Sequence, residues 1–189
     1  MHPRTEELIR HLEDTRAVLR AALEDVPAVL RDTRPAPDRW SVAEVVEHLV
    51  LIETRVAAMF TGAVEAAKRH GLGKEDEISS VLEATDRQQF TDRTQRLEAP
   101  EGRRPSGGVD AVTGWSSLTA LRGLSERSIR ATDGLAIGTV SVPHPRFGPM
   151  SLYKWVAFIG YHELRHAEQI REIGQVLSAR SLPQPSSQE

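Results

Sequence analysis

Cysteine is absent from the 189-residue chain. That excludes a disulfide framework, a thiolate-ligated metal site and a protein thiol nucleophile, so any sulfur chemistry needs a thiol that arrives as substrate. Apolar runs long enough to span a bilayer are also lacking. The first residues, Met1-His2-Pro3-Arg4-Thr5-Glu6-Glu7, are polar and charged, without the apolar core of a secretory signal. A cytoplasmic protein that stays off the membrane is the expectation. Nor is there an excess of positive charge: 24 Lys and Arg stand against 27 Asp and Glu, a formal net charge of -3. With the arginines interspersed among acids, no nucleic-acid partner is expected, and the charges read as a solvated surface with scattered ion pairs.

What is present is periodicity. The length, with 39% hydrophobic and 27% charged residues, suits one globular domain, drawn here as residues 1–180. The Ser, Pro and Gln of 181–189 predict a disordered tail. A first amphipathic helix is predicted from Thr5 to about Asp32, bent at Pro27, with Leu8, Ile9, Leu12, Val18, Leu19, Leu23, Val26, Val29 and Leu30 inward. Ser41 followed by Glu44 is a capping-box signature, so a second helix starts at Ser41 and runs to about His70, stopping at Gly71-Leu72-Gly73. Short helical turns are read over Lys74–Arg96 and a loop over Ala99–Val109. A third long helix spans about Asp110–Thr132, with Val112, Trp115, Leu118, Leu121, Leu124 and Ile129 inward. Ile137–Pro145 reads as an extended crossover, with little β-structure beyond it, and a fourth long helix covers about Ser151–Leu177.

Chemistry concentrates in Tyr161-His162-Glu163-Leu164-Arg165-His166. Two imidazoles four apart share one helix face. That face is apolar, since Trp155, Phe158, Ile159, Ile170 and Ile173 fall on the same spacing, so both rings point inward. A divalent metal is one reason to bury two imidazoles side by side; hydrogen-bonded core histidines are the other reading. His48, two turns into the second helix on a mainly apolar face, is the candidate third ligand. Three imidazoles would leave one open position on Zn(II) and two or three on Ni(II), Fe(II) or Mn(II), and spacing alone cannot choose among them. Zn(II) or Ni(II) is favoured.

The neighbouring side chains read more plainly. Glu44, Glu47, Glu163 and Gln169 are candidates to orient a ligand ring, with Glu44 more naturally closing its capping box. Glu163 lies about 100 degrees off the ligand face, so it takes no catalytic role. His144, between two prolines, reads as part of a rigid turn. Trp40, Trp115 and Trp155 are candidates to line a substrate pocket but read first as packing residues, and Arg165, a candidate for an anionic substrate carboxylate, reads first as a partner for Glu168 or Glu172.

At Arg39-Trp40-Ser41-Val42-Ala43-Glu44-Val45-Val46-Glu47-His48-Leu49, Pro143-His144-Pro145-Arg146-Phe147-Gly148 and Trp155 through Ile170, the chain resembles the DinB-like or YfiT-like superfamily. These are damage-inducible metalloproteins, not the DNA polymerase of the same name. The resemblance implies an all-α, up-down-down-up four-helix bundle with a long crossover before the last helix, and a divalent metal on His48, His162 and His166. It also implies a small-molecule substrate and points to thiol transferases and isomerases that use low-molecular-weight thiols. A metal-dependent hydrolase and a non-catalytic, stress-associated metal-binding bundle, alone or as a homodimer, stay open beside the thiol transferase.

Overall fold

The computed structural model describes residues 1–94 and 102–181. Among them are five α-helices: α1 (Pro3–Glu24), α2 (Val42–Arg69), the short α3 (Arg87–Thr91), α4 (Ala111–Arg130) and α5 (Leu152–Ser181). Local chemistry explains most boundaries. The His2 ring accepts from the Arg4 amide, and Pro3 occupies the first turn of α1, where its missing N–H is not needed. The α1 expectation ran too far: the helix ends at Glu24 instead of bending at Pro27. Proline has no N–H to offer the Leu23 carbonyl, which instead accepts from Val26 at 3.2 Å. Beyond Pro27 lies only a 3-10 turn, Ala28–Leu30, and Val29 is 87% exposed.

α2 starts and stops where expected. Ser41 and Glu44 close the capping box, with Ser41 N to Glu44 Oε2 at 2.9 Å and Glu44 N to Ser41 Oγ at 3.1 Å. Gly71, at φ 84°, lets the Leu72 amide reach back to Ala67 O at 3.0 Å, which closes the C-terminus. α4 is capped by Asp110, whose carboxylate accepts from the Val112 and Thr113 amides. Its inward face differs from expectation: Val112 and Leu124 are 73% and 53% exposed, while Gly114, Leu118, Arg122, Ser125 and Ile129 are buried.

The connection ahead of α5 holds more β-structure than the sequence suggested. β1 (Ser141–His144) pairs antiparallel with β2 (Gly148–Ser151), from Ser141 opposite Ser151 to His144 opposite Gly148. Tail residues 182–189 and loop residues 99–101 lie outside the described residues; Ser181 itself ends α5.

Apolar residues gather in two clusters. One joins Leu8 and Leu12 of α1, Val56, Phe60 and Val64 of α2, Ile129 of α4 and Trp155–Ile159 of α5. The other joins Leu19 and Leu23 of α1, Val42, Val45, Val46 and Leu49 of α2, Leu118 of α4, and Ala167, Ile170, Ile173 and Leu177 of α5. The ends that share a cluster show α1 and α5 running one way and α2 and α4 the other, an up-down-down-up bundle. α1 packs mainly on α5, and α2 on α4. On the α1/α5 seam, a Cβ at Gly160 would fall on the His11 ring and within 2.9 Å of Thr15 Oγ1, so position 160 has no room for a side chain.

Between the clusters lies a charged layer. Arg16, Glu53, Arg122 and Glu163, one from each long helix, interrupt the four apolar stripes at one level.

Candidate metal centre

α5 turns His162 and His166 to one side on successive turns, and α2 brings His48 to meet them. One ring nitrogen of each lies within 4.8 Å of the others. His162 Nε2 and His166 Nε2 stand 3.1 Å apart. Around tetrahedral zinc, with Zn–N bonds of about 2.0–2.1 Å, donor nitrogens stand about 3.3–3.4 Å apart, so this pair is already spaced as ligands. The His48 ring centre is 5.4 Å from that of His162 and 5.0 Å from that of His166.

The opposite edges of two rings are tied down. His48 Nδ1–H donates to the Arg103 carbonyl at 2.8 Å. His166 Nδ1–H donates to Gln169 Oε1 at 2.8 Å. Each bond assigns the proton to Nδ1 and leaves the Nε2 lone pair facing the centre, the tautomer a metal needs. The loop that delivers the Arg103 carbonyl is held by Glu47, whose carboxylate accepts from the Ser106 amide at 2.9 Å and the Gly107 amide at 3.1 Å. Trp40 and Phe158 flank the centre, with ring centres 5.1 Å from His48 and 5.2 Å from His162.

Electrostatics favour neutral rings. Burial pushes His48 below the ordinary histidine range, and it pushes His162 and His166 well below, with the neighbouring imidazoles adding to the effect. Nearby arginines push the same way: Arg103 on His48, Arg165 on His162 and His166, and Arg93 on His166. Three neutral imidazoles converging on one point suit a divalent cation, so the donor set fits a metal.

The same shifts predict a pH dependence for the metal-free protein. Folded histidine pKa values lie below the unfolded value of 6.5, so the unfolded chain binds more protons in that range and stability falls as pH drops through it. His144, lowered to about 4 by burial with Arg103 and Arg146 nearby, extends the loss to that pH. Glu163 acts oppositely, since burial raises its carboxyl despite Arg122 and Arg16. With His11, which burial also lowers, five histidines outnumber it, and the melting temperature is expected to fall between pH 7 and pH 5. A flat profile across that range would mean that the rings are not held neutral.

Other singled-out residues have structural places. His144 is outside the triad: its Nδ1 accepts from the Arg146 and Phe147 amides, which fixes the hairpin turn as expected. Glu44 closes its capping box and pairs with Arg34. Trp155 Nε1 donates to Val142 O at 3.0 Å. Arg165 donates to the Asp92 carbonyl, whereas Glu172 pairs with Arg93 and Glu168 with Arg171. Glu163 faces away from the triad into the charged layer.

Arg16, Glu53 and Arg122 escaped sequence reasoning. A signal existed: each sits inside an apolar stripe, as in Leu12-Arg16-Leu19, Leu49-Glu53-Val56 and Leu118-Arg122-Ile129, and with Glu163 their charges cancel. The Arg103 carbonyl had none.

An up-down-down-up bundle with a three-histidine centre between α2 and α5 defines a metalloprotein-like helical class. Residues 11–170 match the DinB superfamily model, and the chain belongs to that superfamily. It is 27% identical over 142 residues to the uncharacterized protein YuaE of Bacillus subtilis (strain 168), covering 74% of this chain and 80% of YuaE. Its fold matches the solved structure of YfiT from Bacillus subtilis with a TM-score of 0.56 at 17% identity, over 92% of this chain and 87% of that one. YfiT is described as a probable metal-dependent hydrolase with an unusual four-helix bundle topology. Among the described residues, no helix is long and apolar enough to cross a membrane.

Proposed function

We propose that this protein is a divalent-metal-dependent enzyme acting on small molecules, with the ion held by His48, His162 and His166 and Zn(II) or Ni(II) favoured over Fe(II) or Mn(II). The observation that carries the reading is the convergence of three imidazole nitrogens within 4.8 Å, two of the rings tied at Nδ1 so that Nε2 is the free donor. When bound, such an ion supplies an electrophilic centre that keeps a coordinated thiol or water deprotonated near neutral pH. The three ligands are neutral, so an anionic fourth partner is favoured. Trp40 and Phe158 wall the centre, and Arg103 adds positive charge beside His48.

The leading reaction is transfer of a low-molecular-weight thiol to an electrophile. It is supported by the thiol-using relatives that the sequence resembles and by a chain without sulfur nucleophiles of its own. Hydrolysis is the second reading, favoured by the description of YfiT. The metal-loaded protein is expected to accelerate conjugation of glutathione, mycothiol or bacillithiol to an activated electrophile, and the His48→Ala variant is not. Rates equal to those of metal-free protein with all three thiols would remove thiol transfer. Metal-dependent cleavage of an activated ester in the same preparation would then favour hydrolysis, and its absence a non-catalytic bundle.

A further inference from the structure

The metal ligands come from helices that belong to different pairs. His48 rides on α2, which packs mainly on α4; His162 and His166 ride on α5, which packs mainly on α1. The separation of His48 from the other two rings therefore depends on how the α1/α5 pair is docked on the α2/α4 pair.

The charged layer joins those pairs. Arg16 and Glu163 bond within the α1/α5 pair at 2.7 Å, and Arg122 and Glu53 within the α2/α4 pair at 2.9 Å. Across the pairs, Arg16 reaches Glu53 at 3.1 Å and Arg122 reaches Glu163 at 2.9 Å. The two guanidiniums also exchange backbone contacts: Arg16 Nη1 donates to the Leu118 carbonyl of α4 at 3.2 Å, and Arg122 Nη1 donates to the Leu12 carbonyl of α1 at 2.9 Å. Glu163 adjoins His162 in sequence, and Glu53 lies less than two turns beyond His48. A charge-balanced layer of this kind tolerates few alternative arrangements, because sliding one helix strands a buried charge.

We infer that Arg16, Glu53, Arg122 and Glu163 are positioning residues that fix the docking of the two helix pairs and thereby the spacing of His48 from His162 and His166. This rests on the proposed metal reading, and its test separates the two. Arg122→Lys keeps the charge balance but replaces a fork that reaches both carboxylates and a carbonyl with a point donor. Should Arg122→Lys fail to fold, Arg16→Lys, nearer the surface, serves in its place.

Cobalt(II) is titrated into wild type and variant while its visible absorption is followed, with circular dichroism for helicity. Val64→Ala, in the apolar cluster away from the layer, is the control for lost stability alone. The expected result is a folded Arg122→Lys protein with cobalt affinity reduced about 10- to 100-fold, the range seen when groups supporting metal ligands are lost, and an altered absorption envelope. Val64→Ala is expected to melt earlier with unchanged cobalt binding. A metal-independent arm uses the absence of native cysteine: nitroxides at Thr54→Cys on α2 and Glu168→Cys on α5 are expected to give a narrow distance distribution in wild type and a broadened or shifted one in Arg122→Lys. Unchanged affinity and label distance would overturn the inference even if the melting temperature falls. Failure of wild type to bind cobalt would remove the metal reading and the positioning role with it, and the label distance would then decide the docking claim alone.

Discussion

The His166→Ala protein is expected to lose metal affinity by more than the ~10- to 100-fold that follows loss of a group merely orienting a ligand, while keeping its helical spectrum. His166 supplies one of the two Nε2 atoms that stand 3.1 Å apart, and no other imidazole on α5 can replace it. Its removal takes away a donor but little packing, because Ala167, Ile170 and Ile173 still bury the same stretch of helix. Two apolar clusters span the bundle on either side of the charged layer, so the fold is expected to stand without the ion. Elemental analysis with circular dichroism of the purified variant decides it. Full metal retention would take His166 out of the ligand set, and an unfolded variant would recast the centre as structural.

Glu163→Ala is expected to be the most destabilising single change in the charged layer, at roughly 3–5 kcal/mol. The residue is 1% exposed and accepts from both Arg16 and Arg122, so its loss leaves the buried Arg122 guanidinium and the partly buried Arg16 guanidinium facing one carboxylate, Glu53. For a chain of this length each kcal/mol lowers the melting temperature by about 2–4 °C, which gives a fall of roughly 10 °C. Glu168→Ala is the contrast. It removes an exposed pair with Arg171 and is expected to change stability by less than about 1 kcal/mol. Similar melting temperatures for the two variants would show that the layer is wetter and weaker than its geometry implies.

Legibility in the sequence followed the kind of signal each feature left. α2 was readable at both ends because its stops are side-chain chemistry: a Ser41–Glu44 box and a glycine with positive φ. The histidine pair was readable because a spacing of four puts rings together on any helix. α4 was misread because Val112 and Leu124 are apolar but exposed, while Arg122 and Ser125 are polar but buried. Hydrophobicity identifies an inward face only where the interior is apolar, and here a charged layer crosses it. Val29 failed for another reason, since Pro27 had already ended the helix that would have turned it inward. The second hairpin strand, Gly148-Pro149-Met150-Ser151, has no β-branched alternation to announce it, and its pairing depends on the turn that His144 stabilises.

The bond from His48 to the Arg103 carbonyl bears on how the centre tolerates mutation. Every residue type carries the same carbonyl, so exchanging the side chain at position 103 leaves the acceptor in place and the His48 tautomer unchanged. Sensitivity is displaced to Glu47, which holds the Ser106 and Gly107 amides and with them the path of the loop. A survey of variants scored by the His48 tautomer would thus find position 103 permissive and the residue preceding His48 in the helix restrictive, the reverse of what proximity to the rings suggests.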